Sequence, residues 1–185
     1  VACRGFIHFY DCEFGGQGDD ATNVHNFYTL IASKESNNRC RLVLSTKFVT
    51  HSVKRDFPQV GDTFAVVERN TLKEVNYVTV KHLELSKADL SYMIEYEGNI
   101  PDNIDDYYLA NVSACPELRF VRCKVHSHRS RSVLVKTRKV LIEDCNFENT
   151  TGTVIHIGAE GNWMERVTST DAVVRNNKIV NCGLG

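Results

Sequence analysis

The sequence is short of everything that marks a helical or membrane-spanning protein. Across 185 residues no stretch sustains a 3.6-residue apolar period, and no apolar run approaches the ~18 residues of a membrane span. An excess of either charge is missing too. Lys and Arg number 22 against 23 Asp and Glu, and the net charge is −1 with a pI of about 6.7, which argues against nucleic acid or a membrane surface as partner. Metal and disulfide signatures are lacking. The seven cysteines (Cys3, Cys12, Cys40, Cys115, Cys123, Cys145 and Cys182) are odd in number and irregular in spacing, with no CxxC pair. They are expected to be small buried residues, so no metal, no cofactor and no redox compartment is implied. The chain starts at Val1 without an initiator Met or a signal peptide, as a mature form, an excised domain or a fragment would.

What the chain has is short runs rich in Val, Ile, Leu and Phe, separated by Asn, Gly, Asp and Ser, a strand-and-turn pattern. Three of them align, "GFIHFYDCEF", "LRFVRCKV" and "KVLIEDCNF", and "AVVRNNKIV" matches with Asn177 in the cysteine position. Cys123 and Cys145 are 22 residues apart, about one turn of a parallel β-helix. Eleven residues after Cys12, Cys123 and Cys145 come Asn23, Leu134 and His156, in the second strands "ATNVH", "SVLVKT" and "TVIHIG". Stacked units of this kind share one core and pile like residues into ladders at their turns. Cys12, Cys123, Cys145 and Asn177 are expected to form such a ladder.

Two stretches break the period. About 32 residues separate Cys145 from Asn177, so an excursion is expected near "GAEGNWMERVTSTD". A longer break between His25 and Cys115 holds the alternating runs "TFAVVE", "VNYVTVKHLEL" and "LSYMIEYE", which predict a small antiparallel β-barrel or sandwich.

The stretch "GGQGDD" places Asp19 and Asp20 side by side after three glycines. Glycosidic cleavage needs two carboxyl groups, one to protonate the leaving oxygen and one to assist attack. Neighbours on a regular strand point to opposite faces, so the two act together only where the glycines distort it. Close carboxylates also push one pKa up, which keeps an acid protonated. A solvated turn and a calcium-binding turn are the competing readings. The repeat register adds to the argument. Eight residues after the ladder positions lie Asp20, Arg131 and Thr153. "GDD" is thus expected beside "RSR", next to the excursion carrying Glu160, Trp163 and Glu165. Acids, arginines and a tryptophan on one face are what a carbohydrate site needs. Arg129, Arg131, Lys136, Asn23, His25, Glu160, Trp163 and Glu165 are the candidate substrate-binding residues. Each has a plain structural alternative: charge neutralisation for the arginines, loop packing for Trp163, a turn role for His25, a solvated strand charge for Lys136.

The strings "CEFGGQGDDATNVH" (Cys12 to His25), "RSRSVLVKT" with "VLIEDCNFENT", and "WMERVTSTDAVVRNNKIVNC" resemble glycoside hydrolase family 110. The resemblance covers most of the chain and is weaker in the inserted segment. It implies an exo-acting α-galactosidase that removes terminal α-1,3-linked galactose, including that of blood group B antigens, with inversion. It also implies a right-handed parallel β-helix with β-barrel additions. The family's paired aspartates map onto Asp19 and Asp20. By analogy with polygalacturonases, Asp19 is the general acid, and Asp20 with a third acid about twenty residues upstream activates water. That upstream acid would precede Val1, which implies a fragment of a larger enzyme.

The expectation is therefore an all-β protein. An incomplete right-handed parallel β-helix would occupy residues 1–46 and 107–185, with a small antiparallel β-barrel inserted at 47–106. Its partner would be a galactose-terminated glycan, in a secreted or periplasmic setting, with a homo-oligomer compatible. A non-catalytic carbohydrate-binding segment, as in an adhesin or tail spike, and a purely structural segment are the alternatives.

Overall fold

The computed structural model describes residues 3–44, 58–86, 89, 91–165 and 169–183. The expected boundary at 46/47 lies outside these residues. Three strands come first: β1 (Phe6–Tyr10), β2 (Glu13–Gly15) and β3 (Thr22–Val24). Six more follow, most of them longer: β4 (Thr29–Ser36), β5 (Arg39–Leu44), β6 (Thr63–Glu68), β7 (Glu74–Leu85), β8 (Tyr92–Gly98) and β9 (Tyr107–Asn111). The rest are short again: β10 (Glu117–Val121), β11 (Lys124–His128), β12 (Val133–Val135), β13 (Val140–Glu143), β14 (Asn146–Thr150), β15 (Ile155–Ile157), β16 (Ala172–Arg175) and β17 (Lys178–Val180).

The short strands form three parallel sheets, ordered β1-β10-β13-β16, β17-β14-β11-β2 and β15-β12-β3. Leu134 pairs with Asn23 on one side and His156 on the other, the positions that the eleven-residue count aligns. Inward residues stack in register, Phe9 on Phe120 on Ile142 and Phe14 on Val125 on Phe147. They share one core with Val24, Val133 and Val135.

The turns explain the spacing. Asp11, Arg122, Asp144 and Asn176 all have left-handed backbones, with φ of 54°, 51°, 54° and 58°. Each bends the chain one residue before the ladder position. The ladder residue itself faces inward and binds backbone. The Cys145 thiol donates to the Phe120 carbonyl at 3.3 Å, while Asn177 Oδ1 accepts the Cys145 N–H at 2.9 Å and its Nδ2 donates to the Ile142 carbonyl at 3.0 Å. So the strained conformation belongs to the preceding residue, and Cys and Asn share a position because each can donate to the neighbouring strand. Burial pushes the Cys123 thiol up to about 11, as suits a packing group.

The all-β expectation holds, but the incomplete right-handed parallel β-helix with a small inserted barrel is not what the structure shows. The described residues form three separate short parallel sheets and a closed six-stranded antiparallel barrel, β4-β5-β8-β7-β6-β9. The barrel also draws on residues that the sequence assigned to the other part. Thr29–Leu44 supply β4 and β5, and Tyr107–Asn111 supply β9, which pairs with both β4 and β6. The physical reason is closure: without those three strands β6 and β8 would expose open edges. Phe64, Val66, Val78, Val80, Ile94, Leu109 and their neighbours fill the barrel core.

An apolar seam joins the two parts at Met164. Met164 packs against Tyr28, Ala65, Val67 and Ala110 on the barrel's outer face. Tyr28 N–H donates to the Met164 carbonyl at 2.8 Å, and Phe27 bridges Glu165. The segment that breaks the 22-residue period is therefore fastened to the barrel.

Candidate active site

The candidate site lies where that fastened segment crosses the mouth of β3 and β12. Asp20 precedes β3, and its carboxylate is nearly covered. Asp20 Oδ1 accepts the Ser130 hydroxyl at 2.8 Å, the Arg131 N–H at 3.1 Å and Arg131 Nε at 3.0 Å; Oδ2 accepts Arg131 Nη2 at 3.0 Å. Burial alone would raise its pKa, but the donors of Arg131 and Ser130 outweigh it and hold Asp20 below the usual carboxylate range. The expectation that crowded carboxylates push one pKa up thus does not apply to Asp20. Its neighbour is Arg131, whereas Asp19 turns outward. Asp19 is exposed, and its Oδ1 accepts the Asp20 N–H at 2.9 Å.

From Arg131 the charges alternate inward. Arg131 Nη1 donates to Glu160 Oε1 at 2.6 Å, and Lys136 Nζ donates to Glu160 Oε2 at 2.5 Å. Lys136 also donates to Glu165 Oε2. Glu165 Oε1 in turn faces His25 Nδ1 at 3.1 Å, and Asn23 Nδ2 reaches Glu165 Oε2 at 3.5 Å. Glu160 and Glu165 are paired across an antiparallel bridge, so both carboxylates sit side by side over Lys136. The Lys136 side chain is 0% exposed. Burial of a cation is tolerated where carboxylates on two sides replace its water. Burial would raise Glu160, yet Lys136 and Arg131 bring it down to about 2.

Asp20, Asn23, His25, Arg131, Lys136, Glu160 and Glu165 are thus brought together. Trp163, in a 3-10 turn over Gly161–Trp163 between Glu160 and Glu165, is 57% exposed, and its backbone N–H donates to the Glu160 carbonyl at 3.0 Å. Arg129 is exposed and takes no part in the charge chain; its N–H donates to the Gln17 carbonyl at 3.0 Å. Lys136 has no exposed side-chain surface to offer a ligand. Ser130 enters the site without having been singled out, although it stands inside the "RSR" string. His128 and Gly152, which support the Ser130–Arg131 loop, carry no motif signal. No group of three or more His, Cys, Asp or Glu poised to hold a metal occurs among the described residues.

No family model matches the chain. Curated proteins do match. The chain is similar to alpha-1,3-galactosidases. It is 26% identical over 181 residues to alpha-1,3-galactosidase B of Bacteroides thetaiotaomicron, covering 96% of this chain and 28% of that protein. To alpha-1,3-galactosidase A of the same bacterium it is 28% identical over 189 residues, 98% of this chain and 32% of the relative. To alpha-1,3-galactosidase A of Shewanella woodyi it is 26% identical over 193 residues, 98% of this chain and 30% of the relative. The chain spans about 30% of the length of the curated galactosidases it matches. The matches span nearly the whole chain, the parallel sheets and the barrel alike.

Proposed function

We propose that this chain carries the aspartate pair of a glycoside hydrolase that removes terminal α-linked galactose, α-1,3-linked by preference, with inversion of configuration. The observation that carries the reading is the contrast between two adjacent carboxyls: Asp20 clamped by Arg131 and Ser130, Asp19 exposed beside it. Asp20 is held ionised and suits the base that draws a proton from water. Its Oδ2 accepts one hydrogen bond among the described residues against three at Oδ1, which leaves it a lone pair for that water. Asp19, exposed beside it, is the candidate to protonate the leaving oxygen. An inverting pair stands roughly 6.5–9.5 Å apart to admit the water. Trp163, exposed in the turn between Glu160 and Glu165, offers an aromatic face to the apolar side of a galactose ring. The substrate class goes with a secreted or periplasmic setting.

The saturation of Arg131, Glu160 and Lys136 by one another supports a second reading, a carbohydrate-binding surface without turnover. Proton NMR of α-1,3-galactobiose incubated with the full-length protein separates the two. Release of β-galactose ahead of mutarotation is the expected result. Release of α-galactose would sink the inverting assignment. Binding without release in a correctly folded protein would establish the second reading.

A further inference from the structure

The loop that presents Ser130 and Arg131 to Asp20 is costly to form. Ser130 in the loop and Ser127 near the end of β11 both take left-handed backbones, with φ of 75° and 50°, which residues other than glycine adopt only at a cost. Something must hold it. From the neighbouring turn, Thr151 Oγ1 accepts the Ser130 N–H at 3.0 Å and the Gly152 N–H donates to the Ser130 carbonyl at 2.9 Å. Gly152 lies so close that a Cβ there would stand 2.6 Å from the Ser130 carbonyl. From the interior, the support is His128. This histidine ends β11, is buried, and places Nε2 3.1 Å from the Arg131 carbonyl. A carbonyl only accepts, so Nε2 carries the hydrogen. The same carbonyl accepts the N–H of Ala21, the residue after Asp20, at 3.1 Å. The Arg131 backbone is thereby fixed at its oxygen by two donors, His128 and Ala21, the latter next to the aspartate in the segment that enters β3. The adjoining N–H and guanidinium are then aimed at Asp20.

We propose that His128 is a positioning residue of the site: its Nε2–H pins the Arg131 carbonyl and so aims the amide, the guanidinium and the Ser130 hydroxyl at the Asp20 carboxylate. The inference rests on the reading of Asp20 as a working carboxylate, and its test does not need turnover. His128→Gln keeps an amide N–H near the place of Nε2; His128→Asn and His128→Leu remove it. Carboxyl 13C NMR titration of the full-length protein, with the Asp20 signal assigned by its loss in Asp20→Asn, reads the clamp directly. Asp20 is expected to titrate at higher pH in the Asn and Leu variants and as in wild type in the Gln variant. Where galactosidase activity is present, kcat in the Asn and Leu variants falls about fivefold, the scale of one lost neutral hydrogen bond. The acid limb of kcat/KM moves to higher pH with it. A purely structural histidine would lower thermal stability without moving either titration. The proposal is overturned if Asp20 titrates unchanged in the Asn variant, or shifts as far in the Gln variant as in the Asn variant. Absence of activity with a shifted Asp20 titration would instead count against the galactosidase reading and leave the role of His128 standing.

Discussion

Among the described residues, an arginine grips a largely covered aspartate in two places, one in each part. In the barrel, Asp62 accepts Arg4 Nη1 at 2.8 Å and Nη2 at 2.6 Å, the Asn111 side chain at 2.7 Å and the Gln59 N–H at 2.8 Å. At the mouth of the parallel sheets, Asp20 accepts the Arg131 fork, its amide and the Ser130 hydroxyl. In both, burial raises the pKa and the donors more than reverse it. The electrostatics are nearly the same, so a depressed carboxylate cannot by itself mark a functional site. What differs is what lies beyond the arginine. Arg4 is tied to Asp62, joining the first residues of the chain to the barrel. Arg131 passes on to Glu160, Lys136, Glu165 and His25, and an exposed aspartate and an exposed tryptophan stand beside the chain it starts.

The largest effect expected is on turnover. Asp20→Asn in the full-length protein should lower kcat about a thousandfold, within the range for losing a general base, with circular dichroism unchanged. Asp62→Asn should leave the rate within about twofold. Equal loss of activity from both would erase the distinction between the two aspartates and reduce Asp20 to a second structural clamp.

Lys136→Met comes next. It leaves Glu160 and Glu165 facing each other without their shared cation, and breaking a buried pair of this kind costs about 3–5 kcal/mol. Urea unfolding of the variant should show that loss. The segment carrying Trp163 should also detach from the barrel, read as a change in tryptophan fluorescence before global unfolding. A variant as stable as wild type would mean that Lys136 is not the pivot of the charge chain. Asp62→Asn should cost less, roughly 2 kcal/mol, because Arg4 is partly exposed and its charge remains solvated.

Much of this contrast could be read from the sequence, and the unread parts have physical causes. Cys12, Cys123 and Cys145 mark the turns because an inward ladder position tolerates few side chains, and counting from them places Asp20 against Arg131. The left-handed residue one step earlier is Asp, Arg, Asp or Asn, too varied to flag. The barrel's limits were missed because β4 and β5 owe their place to pairing with β9 and β8, up to about 80 residues away in the chain, and closure leaves no local mark. Lys136 reads as a substrate-binding cation or a solvated strand charge, and it is neither exposed nor solvated. Only the crossing of Glu160 and Glu165 overhead makes its burial tolerable, and that segment lies outside the repeat. His128 and Gly152 act through backbone, which no motif records.

Acid unfolding gives the smallest and sharpest test of the likeness between the two clamps. A carboxylate whose folded pKa is depressed contributes stability above its unfolded value, about 4, and loses it as the pH falls through the folded value. Asp20, Asp62 and Glu160 are all depressed, Glu160 to about 2. Stability should therefore be flat above about pH 5 and fall steeply between about pH 4 and 2 as these groups take up protons. Each contributes at most one proton to that slope, about 1.4 kcal/mol per pH unit. Asp20→Asn and Asp62→Asn should flatten the slope by similar amounts, since the donors that hold the two are so alike. Flattening by Asp62→Asn alone would mean that Arg131 does not grip Asp20 in solution, and both the base role of Asp20 and its support by His128 would fall with it.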